Sequence, residues 1–188
     1  MKITTILGSP KKKGNTASIL GVVEEELQSM GHDVDRINLS NKSIKGCLGC
    51  YKCQGTDDAA ACVQDDDAVI ILGKMIASDA IIFSSPVYFW GVSAILKALI
   101  DRSFALSTKY GSPDHTSILA QMPIGLIVTG EDAYKDNAEC IFTTFEKFRE
   151  YLLGKNAGDM YVGECSKSDD LAAQYKKEAI QFAHDLTS

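Results

Sequence analysis

Four cysteines stand close together in the stretch GCLGCYKCQGTDDAAACVQDDDAV, which runs from Gly46 to Val69. They are Cys47, Cys50, Cys53 and Cys62, with the spacing C-x2-C-x2-C-x8-C. Three thiolates at this close spacing in a loop can reach three corners of a [4Fe–4S] cluster, and a fourth can complete the ligand set. The stretch is therefore a candidate redox or metal centre.

Two other interpretations of these cysteines stay open. Zinc more often takes two separated C-x2-C pairs, so zinc ranks behind an iron–sulfur cluster. The thiols can also be free, or oxidised only at times, on a loop beside another redox group. The remaining cysteines, Cys140 and Cys165, lie in predicted helix and strand-end regions, where a cysteine behaves as an ordinary small residue.

Length and composition favour one domain over residues 1–188, with a cysteine-rich insert at about 44–64. Apolar residues make up 45% of the chain and charged residues 23%, the usual balance of a globular protein. The net charge is −6 and the basic residues form no evident cluster, which argues against a nucleic-acid partner.

The chain shows no signal-peptide pattern and no membrane span. Its longest uncharged run, Ala80–Leu96, is shorter than the roughly 20 residues that a spanning helix needs. The sequence thus predicts a cytoplasmic protein without membrane association. Cysteines there stay reduced, which favours metal or redox chemistry over disulfides.

Strand and helix patterns alternate along the chain. The predicted strands are Lys2–Leu7, Asp33–Leu39, Ala80–Phe83, Pro123–Val128 and Ala157–Val162. The predicted helices are Ala17–Met30, a helix that starts at Asp65–Asp67 and ends near Ala77, Val92–Phe104, Asn137–Leu153 and Asp170–Leu186. Asn15 and Thr16 are the predicted caps of the first helix, and residues 107–121 a polar loop. This order predicts a doubly wound α/β domain with a five-stranded parallel sheet.

In such sheets, ligands bind beyond the carboxyl ends of the strands, where the strand order reverses. The loop after the first strand is GSPKKKGNT, residues 8–16. Its small residues let the backbone turn closely, and Ser9, Asn15 and Thr16 offer side-chain donors beside a helix start. The loop is a candidate phosphate site. It matches neither the Walker nor the GxGxxG motif, and a solvated lysine-rich turn is the alternative.

Two further loops are predicted at the same edge of the sheet. The first contains Tyr88, Phe89 and Trp90 after the turn residue Pro86, and three successive aromatic residues there can form the wall of a flat aromatic ligand. The other is TGED, residues 129–132, whose backbone N–H groups can meet the polar edge of that ligand.

In these three loops the sequence resembles the flavodoxin-like NAD(P)H-dependent FMN reductases, and in its cysteines the iron–sulfur flavoproteins of that group. The matching segments are GSPKKKGNT, CLGCYKC with CVQDDDAV, and SSPVYFWGVSAILKALIDR, in the family's order between residues 8 and 102. The gap before Cys62 is longer than is usual in that subgroup. The resemblance implies a flavodoxin-like fold with strand order 2-1-3-4-5.

The resemblance also implies FMN as cofactor and NAD(P)H as reductant, in a homodimer or homotetramer. The implied phosphate ligands are Ser9, Lys11, Asn15 and Thr16. The implied ring contacts are Pro86, Val87, Tyr88, Phe89 and Trp90, with Thr129 and Gly130 at the pyrimidine edge. Asp101 and Arg102 also match the family, and we interpret them as a structural ion pair or an interface element.

Three functions are compatible with these features. The first is an FMN oxidoreductase that takes a hydride from NAD(P)H and passes electrons to a small-molecule or protein acceptor. The second is an electron carrier with FMN and a [4Fe–4S] cluster. The third is a binding or regulatory domain that keeps the fold without flavin. The flavin carries the chemistry, so no catalytic acid, base or nucleophile is predicted. The choice between NADH and NADPH, and the acceptor, stay open.

Overall fold

The computed structural model describes residues 1–54, 60–165 and 171–188. The strands are β1 (Lys2–Leu7), β2 (Asp33–Asn38), β3 (Ala80–Pro86), β4 (Ser107–Thr108), β5 (Thr116–Ser117), β6 (Pro123–Thr129) and β7 (Lys155–Val162). The helices are α1 (Asn15–Ser29), α2 (Asp67–Ile76), α3 (Ala94–Arg102), α4 (Glu139–Tyr151), α5 (Leu171–Gln174) and α6 (Lys176–Leu186). Asp57 and Asp58 in the cysteine gap, and Asp170 at the predicted start of the last helix, lie outside the described residues.

The main sheet has five parallel strands in the order β2-β1-β3-β6-β7. Counted along the chain, this is the predicted order 2-1-3-4-5, since β4 and β5 form a separate antiparallel pair. The doubly wound fold is thus confirmed. The segment predicted as a polar loop, residues 107–121, contains that small sheet.

The core lies on both faces of the main sheet, as β3 illustrates. Ile81 and Phe83 belong to the cluster that packs with α2, α3 and α4, whereas Ile82 belongs to the cluster with α1 and α6. All three side chains are fully buried. Burial of such a side chain contributes about 1.5–3 kcal/mol, so a strand covered on both faces is a strong anchor for the loop that follows it.

Several element boundaries differ from the prediction. Gly14 is the N-cap of α1, so that Asn15 and Thr16 lie inside its first turn and are not caps. Ser93 caps α3, which begins two residues later than predicted, because its Oγ accepts a bond from the N–H of Leu96 at 3.4 Å. The last helix is divided into α5 and α6 at Tyr175.

The prediction of aspartates at the start of α2 is confirmed. Asp66 is the N-cap and its side chain accepts a bond from the N–H of Ala68, while Asp67 lies in the first turn. Negative charge at this end stabilises the helix through its dipole. None of the helices in the described part of the chain is long and apolar enough to cross a bilayer.

Candidate functional site

A cavity of about 460 Å³ lies at the carboxyl ends of β1, β3 and β6. It brings together residues of the three predicted loops. They are Ser9, Lys11, Lys13, Gly14, Asn15 and Thr16 from the first, Pro86, Val87 and Tyr88 from the second, and Thr129, Gly130 and Glu131 from the third, with Cys165 beyond β7. This cavity is called the strand-end cavity below.

The first loop presents the start of α1 to the strand-end cavity. Gly14 has extended backbone angles, and no side chain among the described residues caps this helix. The first N–H groups of a helix lack intrahelical acceptors, and the helix dipole adds partial positive charge there. With exposed Lys11 and Lys13 on the lining, the arrangement suits an anion such as a phosphate.

Two hydroxyl groups join the first and third loops beneath the strand-end cavity. The Oγ1 atoms of Thr16 and Thr129 are 2.7 Å apart, and both residues are almost fully buried. Val87 donates its backbone N–H to the carbonyl of Thr129 at 2.8 Å, which joins the second loop to the third. The three loops therefore hold one another in place through bonds within the protein.

The aromatic loop turns away from the strand-end cavity after Tyr88. Tyr88 and Gly91 exchange two backbone hydrogen bonds at 2.8 and 3.0 Å, and between them Phe89 and Trp90 have φ angles of 46° and 58°. This is the geometry of a tight hairpin turn with two left-handed residues. Phe89 is 95% exposed, and Trp90 lines a neighbouring cavity of about 300 Å³. The assignment of these two residues to the ring site stays a prediction.

Close packing surrounds Gly130 at the third loop. A Cβ atom on this residue would collide with the hydroxyl of Tyr161 and would lie 3.0 Å from Cγ2 of Val87. Tyr161 is fixed by bonds to the carbonyl of Asp132 at 2.6 Å and from the amide of Asn137 at 2.7 Å. A glycine is therefore required here by space.

Sequence reasoning missed Cys165 as a cavity residue. Its backbone N–H donates to the carbonyl of Gly130 at 3.2 Å, and its own carbonyl accepts from the amide of Asn15 at 3.1 Å. Burial raises the pKa of its thiol. Since this residue follows the last strand, its position at the cavity depends on sheet order, which no local pattern reveals.

All four clustered cysteines line a second, much smaller cavity, of about 20 Å³. It is called the cysteine cavity below, and Arg102 lies on its lining with them. Cys47 and Cys50 are exposed, Cys62 is half-buried and Cys53 is buried. Burial raises the pKa of Cys53, and the neighbouring thiols of Cys62 and Cys47 raise it further.

A buried ion pair helps to attach the cysteine segment to the domain. Two nitrogens of Arg102 bond to the two carboxylate oxygens of Asp66 at 2.7 and 3.0 Å, and one of them also donates to the carbonyl of Lys45 at 3.0 Å. Asp66 accepts the N–H of Lys45 at 2.9 Å as well. The predicted ion pair between Asp101 and Arg102 is wrong, because Asp101 bonds to Lys97 at 2.6 Å and Arg102 to Asp66. The alternative, an interface element, stays a prediction.

The residues present fit FMN, because the strand-end cavity is lined both by a helix start with lysines, which carries no side-chain cap, and by the apolar residues Pro86 and Val87. The four thiols are the donor set of an iron–sulfur cluster. Their cavity, however, has room for about one water molecule. Within residues 1–54, 60–165 and 171–188, no three Cys, His, Asp or Glu side chains are arranged as a metal-ion site.

Comparison with known proteins identifies relatives for the larger part of the chain. An iron–sulfur flavoprotein of Archaeoglobus fulgidus is 44% identical over 103 residues, which are 55% of this chain and 49% of that protein. An iron–sulfur flavoprotein of Methanosarcina thermophila is 41% identical over 119 residues, which are 60% of this chain and 61% of that protein. The chain thus spans about half to three fifths of the length of these curated relatives.

A solved structure shares the fold across the whole chain. The FMN-dependent NADH-azoreductase of Bacillus anthracis, in complex with FMN, superposes with a TM-score of 0.75 at 11% identity and covers 100% of both chains. The model of the family NADPH-dependent FMN reductase matches residues 1–139, which include the first three loops of the strand-end cavity and the cysteine segment. The chain belongs to the NADPH-dependent FMN reductase family.

Proposed function

We propose that this protein is an FMN-dependent oxidoreductase that accepts a hydride from NAD(P)H and passes electrons to a small-molecule or protein acceptor. The observation that carries the proposal is the strand-end cavity, in which an anion site and an apolar wall meet at the switch point of the sheet. Membership of the NADPH-dependent FMN reductase family supports the same activity.

The phosphate of FMN would be held by the first loop. Ser9, Lys11, Asn15 and Thr16 all line the cavity, but their parts differ. The Thr16 hydroxyl already bonds to Thr129, and the Ser9 hydroxyl accepts the N–H of Lys11 at 3.2 Å. We therefore assign the phosphate contacts chiefly to backbone N–H groups at the start of α1 and to the lysine charge.

The ring of FMN would lie against Pro86, Val87 and Tyr88, with Thr129 and Gly130 at its pyrimidine edge. The bonds of Thr129 hold these loops together in the protein without ligand. The surface proposed to bind the ring is therefore formed before FMN binds. When bound, FMN supplies the hydride and single-electron chemistry. The chain's own part is to orient the ring and leave one face open to the nicotinamide.

A binding titration tests the phosphate assignment. We expect the double variant Lys11→Ala/Lys13→Ala, which removes the lysine charge beside the start of α1, to lose FMN affinity by about tenfold or more, equal to about 1.4 kcal/mol. Ser29→Ala, at the exposed end of the same helix, is the matched control and should bind as the unchanged protein does. Equal affinity of the double variant and the control would contradict the assignment.

A second measurement tests the reaction. The FMN-loaded protein is mixed with NADH or NADPH and a quinone, an azo dye or ferricyanide, and nucleotide oxidation is followed by absorbance. Oxidation that depends on both FMN and an acceptor is the expected result. A protein that binds FMN but oxidises neither nucleotide would not be a reductase.

A second candidate function is that of an electron carrier with FMN and a [4Fe–4S] cluster. Four thiols on one cavity, and relatives named iron–sulfur flavoprotein, support it. The test is anaerobic purification with iron and sulfide analysis. We expect about four of each per chain, with loss in Cys53→Ser and retention in Cys140→Ser, which lies outside the stretch.

The proposed homodimer or homotetramer has one supporting feature. Phe89 and Trp90 are 95% and 59% exposed on a rigid turn beside the strand-end cavity, and exposed aromatic groups of this kind often lie in interfaces. Light scattering of the unchanged protein and of a Phe89→Ser/Trp90→Ser variant tests this. A shift of the variant to monomers is the expected result, and a monomeric unchanged protein would contradict it.

A further inference from the structure

We infer that the segment after β7, residues 163–165, forms a fourth loop of the strand-end cavity, and that Asn15 is the positioning residue that holds this loop beside the ring of FMN. The inference rests on the proposed function and deepens it, because it gives Asn15 a part other than the phosphate contact expected from the resemblance. The fourth loop lies beyond residues 1–139, the part of the chain that the family model matches, so its place at the cavity follows from this chain's own contacts.

The backbone turns the fourth loop back toward the strand-end cavity. Glu164 has a φ angle of 55°, in the left-handed region that residues other than glycine rarely adopt. Across this turn the thiol of Cys165 donates to the carbonyl of Val162 at 3.4 Å. Backbone conformations of this kind persist only where the surrounding structure stabilises them, and they cluster at ligand sites. Cys165 thereby lines the cavity, although β7 is the edge strand of the sheet.

The third loop supports the fourth loop from one side. The N–H of Cys165 donates to the carbonyl of Gly130 at 3.2 Å. Gly163 packs so closely that a Cβ atom on it would lie 2.8 Å from the carbonyl oxygen of Asp132. That carbonyl is itself held, because the hydroxyl of Tyr161 donates to it at 2.6 Å. The fourth loop thus rests on a rigid support at the edge where the pyrimidine part of the ring is proposed to lie.

Gly130 uses its backbone groups to hold this arrangement. Its N–H donates to the carbonyl of Val162 at 2.8 Å, and its carbonyl accepts the N–H of Cys165. The N–H of Gly130 is therefore not available to the edge of the ring. The part of Gly130 at that edge is to join β7 and the fourth loop to the third loop.

Asn15 holds the fourth loop from the other side. Its Nδ2 atom donates to the carbonyl of Cys165 at 3.1 Å, although the two residues are 150 positions apart in the chain. Asn15 is the first residue of α1, so its amide connects the loop proposed for the phosphate with the loop beside the ring edge. FMN would lie across both loops. The amide group of an asparagine has two N–H donors, and one of them is used here within the protein.

A comparison of FMN with riboflavin separates the two parts that Asn15 could play. Riboflavin has the same ring and ribityl chain but no phosphate. If Asn15 positions the fourth loop, Asn15→Ala should weaken both flavins by the same factor, about fivefold, which is typical of one hydrogen bond. Lys11→Ala/Lys13→Ala is the comparison variant, because it removes charge at the proposed phosphate site and should weaken FMN far more than riboflavin.

Fluorescence titrations with both flavins at one ionic strength give these affinities. A loss for FMN alone in Asn15→Ala would make Asn15 a phosphate contact and would overturn the inference. Unchanged affinity for both flavins in that variant would overturn it as well.

Further measurements exclude a general loss of structure in Asn15→Ala. Alanine is a good helix former, so we expect the urea midpoint of the variant without ligand to match that of the unchanged protein. Hydrogen exchange of the Cys165 amide should be about fivefold faster, since the bond that holds its loop is gone. At saturation with FMN, the visible circular dichroism of the flavin should change in Asn15→Ala but not in Lys11→Ala/Lys13→Ala. A lowered urea midpoint with an unchanged flavin spectrum would overturn the inference.

A second variant acts on the opposite side of the fourth loop. In Gly163→Ala the new Cβ atom displaces the loop from the carbonyl of Asp132, and we expect both flavins to bind about tenfold more weakly. Gly73→Ala, which adds a Cβ atom in open space on α2, is the matched control and should bind both as the unchanged protein does. Equal affinities of Gly163→Ala and Gly73→Ala would overturn the inference.

Failure of the proposed function gives a different result from failure of the inference alone. If the unchanged protein binds neither FMN nor riboflavin, both the proposed function and the inference are overturned. If the unchanged protein binds FMN and Asn15→Ala binds riboflavin equally well as the unchanged protein, only the inference is overturned.

Discussion

The strand-end cavity and the cysteine cavity are built in different ways. The first has about 460 Å³ and is formed by loops that each follow a buried strand of the same sheet. The second has about 20 Å³ and is lined by residues of the connection between β2 and α2 and by Arg102, Phe104 and Ala105 at and just after the end of α3. The described residues of that connection contribute no strand to the sheet. Hydrogen bonds between parallel strands fix the loops around the strand-end cavity, whereas side-chain contacts chiefly hold the cysteine cavity.

The two cavities are also held in place by different interactions. Around the strand-end cavity, close packing at Gly130 and the Thr16–Thr129 bond fix the loops in place. At the cysteine cavity, the Asp66–Arg102 pair joins the segment at Lys45 to α2 and α3. A site held in part by a buried ion pair should be sensitive to single substitutions in that pair, and the following predictions test this contrast.

The largest expected effect is on folding stability at Asp66. Asp66→Ala leaves the charge of Arg102 buried without its partner and removes the cap of α2, so we expect a loss of about 3–5 kcal/mol in the free energy of unfolding. Asp101→Ala, which breaks only the exposed pair with Lys97, should cost at most about 1 kcal/mol. Urea unfolding of both variants is the measurement, and equal losses would contradict the contrast.

The next effect is on FMN binding at Gly130. In Gly130→Ala the new Cβ displaces Tyr161 or Val87 at the edge of the strand-end cavity, and we expect FMN affinity to fall about 100-fold, or about 2.7 kcal/mol. Gly73→Ala, in α2 with open space around it, is the control. Flavin fluorescence titration of both proteins measures their FMN affinity. Unreduced affinity in Gly130→Ala would show that the loop moves to accommodate the Cβ atom, and would contradict the prediction.

A smaller effect is expected at the bond between the first and third loops. Thr16→Val leaves the buried hydroxyl of Thr129 without that partner and should destabilise the protein without ligand by about 1–3 kcal/mol. Thr129→Val should cost a similar amount, and the double variant less than the sum. Thermal unfolding of all three proteins measures the coupling, and additive losses would mean that the bond adds nothing to the loops.

The smallest effect is the acid dependence of the Asp66–Arg102 pair. Burial raises the pKa of Asp66, but bonds from Arg102 and from the N–H of Lys45 outweigh it, and the net pKa lies below its ordinary value of 3.8. The pair therefore stabilises the fold above that pH, and the contribution is lost as pH falls through the lowered pKa. Unfolding free energies between about pH 5 and pH 2 should fall less steeply in Asp66→Asn than in the unchanged protein. Parallel curves would exclude Asp66 as the group concerned.

Much of the fold follows from local patterns. The buried runs of β3 and β6, and the aspartates that start α2, mark their elements correctly because burial on two faces and helix capping act on neighbouring residues. The split of the last helix at Tyr175 and the small β4–β5 sheet were missed. Each strand of the β4–β5 sheet has only two residues, which is too short to show an alternating pattern in the sequence.

The candidate sites, like the fold, could be predicted only in part from the sequence. Ser9, Asn15 and Gly130 were assigned to one cavity from sequence, and the structure brings them together. Cys165 was missed at that cavity, and the pairing of Arg102 was assigned to the wrong aspartate. The partner of a buried charge is set by how helices pack, and Asp66 is 36 residues away from Arg102 in the chain.

The sequence by itself determined the alternation of strands and helices, the residues at the strand ends and the four clustered cysteines, because each is a property of residue type and short spacing. Tertiary structure alone decided that Phe89 and Trp90 turn outward, that Cys165 reaches the strand-end cavity and that Arg102 lies buried beside Cys62. The physical reason is that these outcomes depend on packing and desolvation between segments far apart in the chain, which only the folded protein brings into contact.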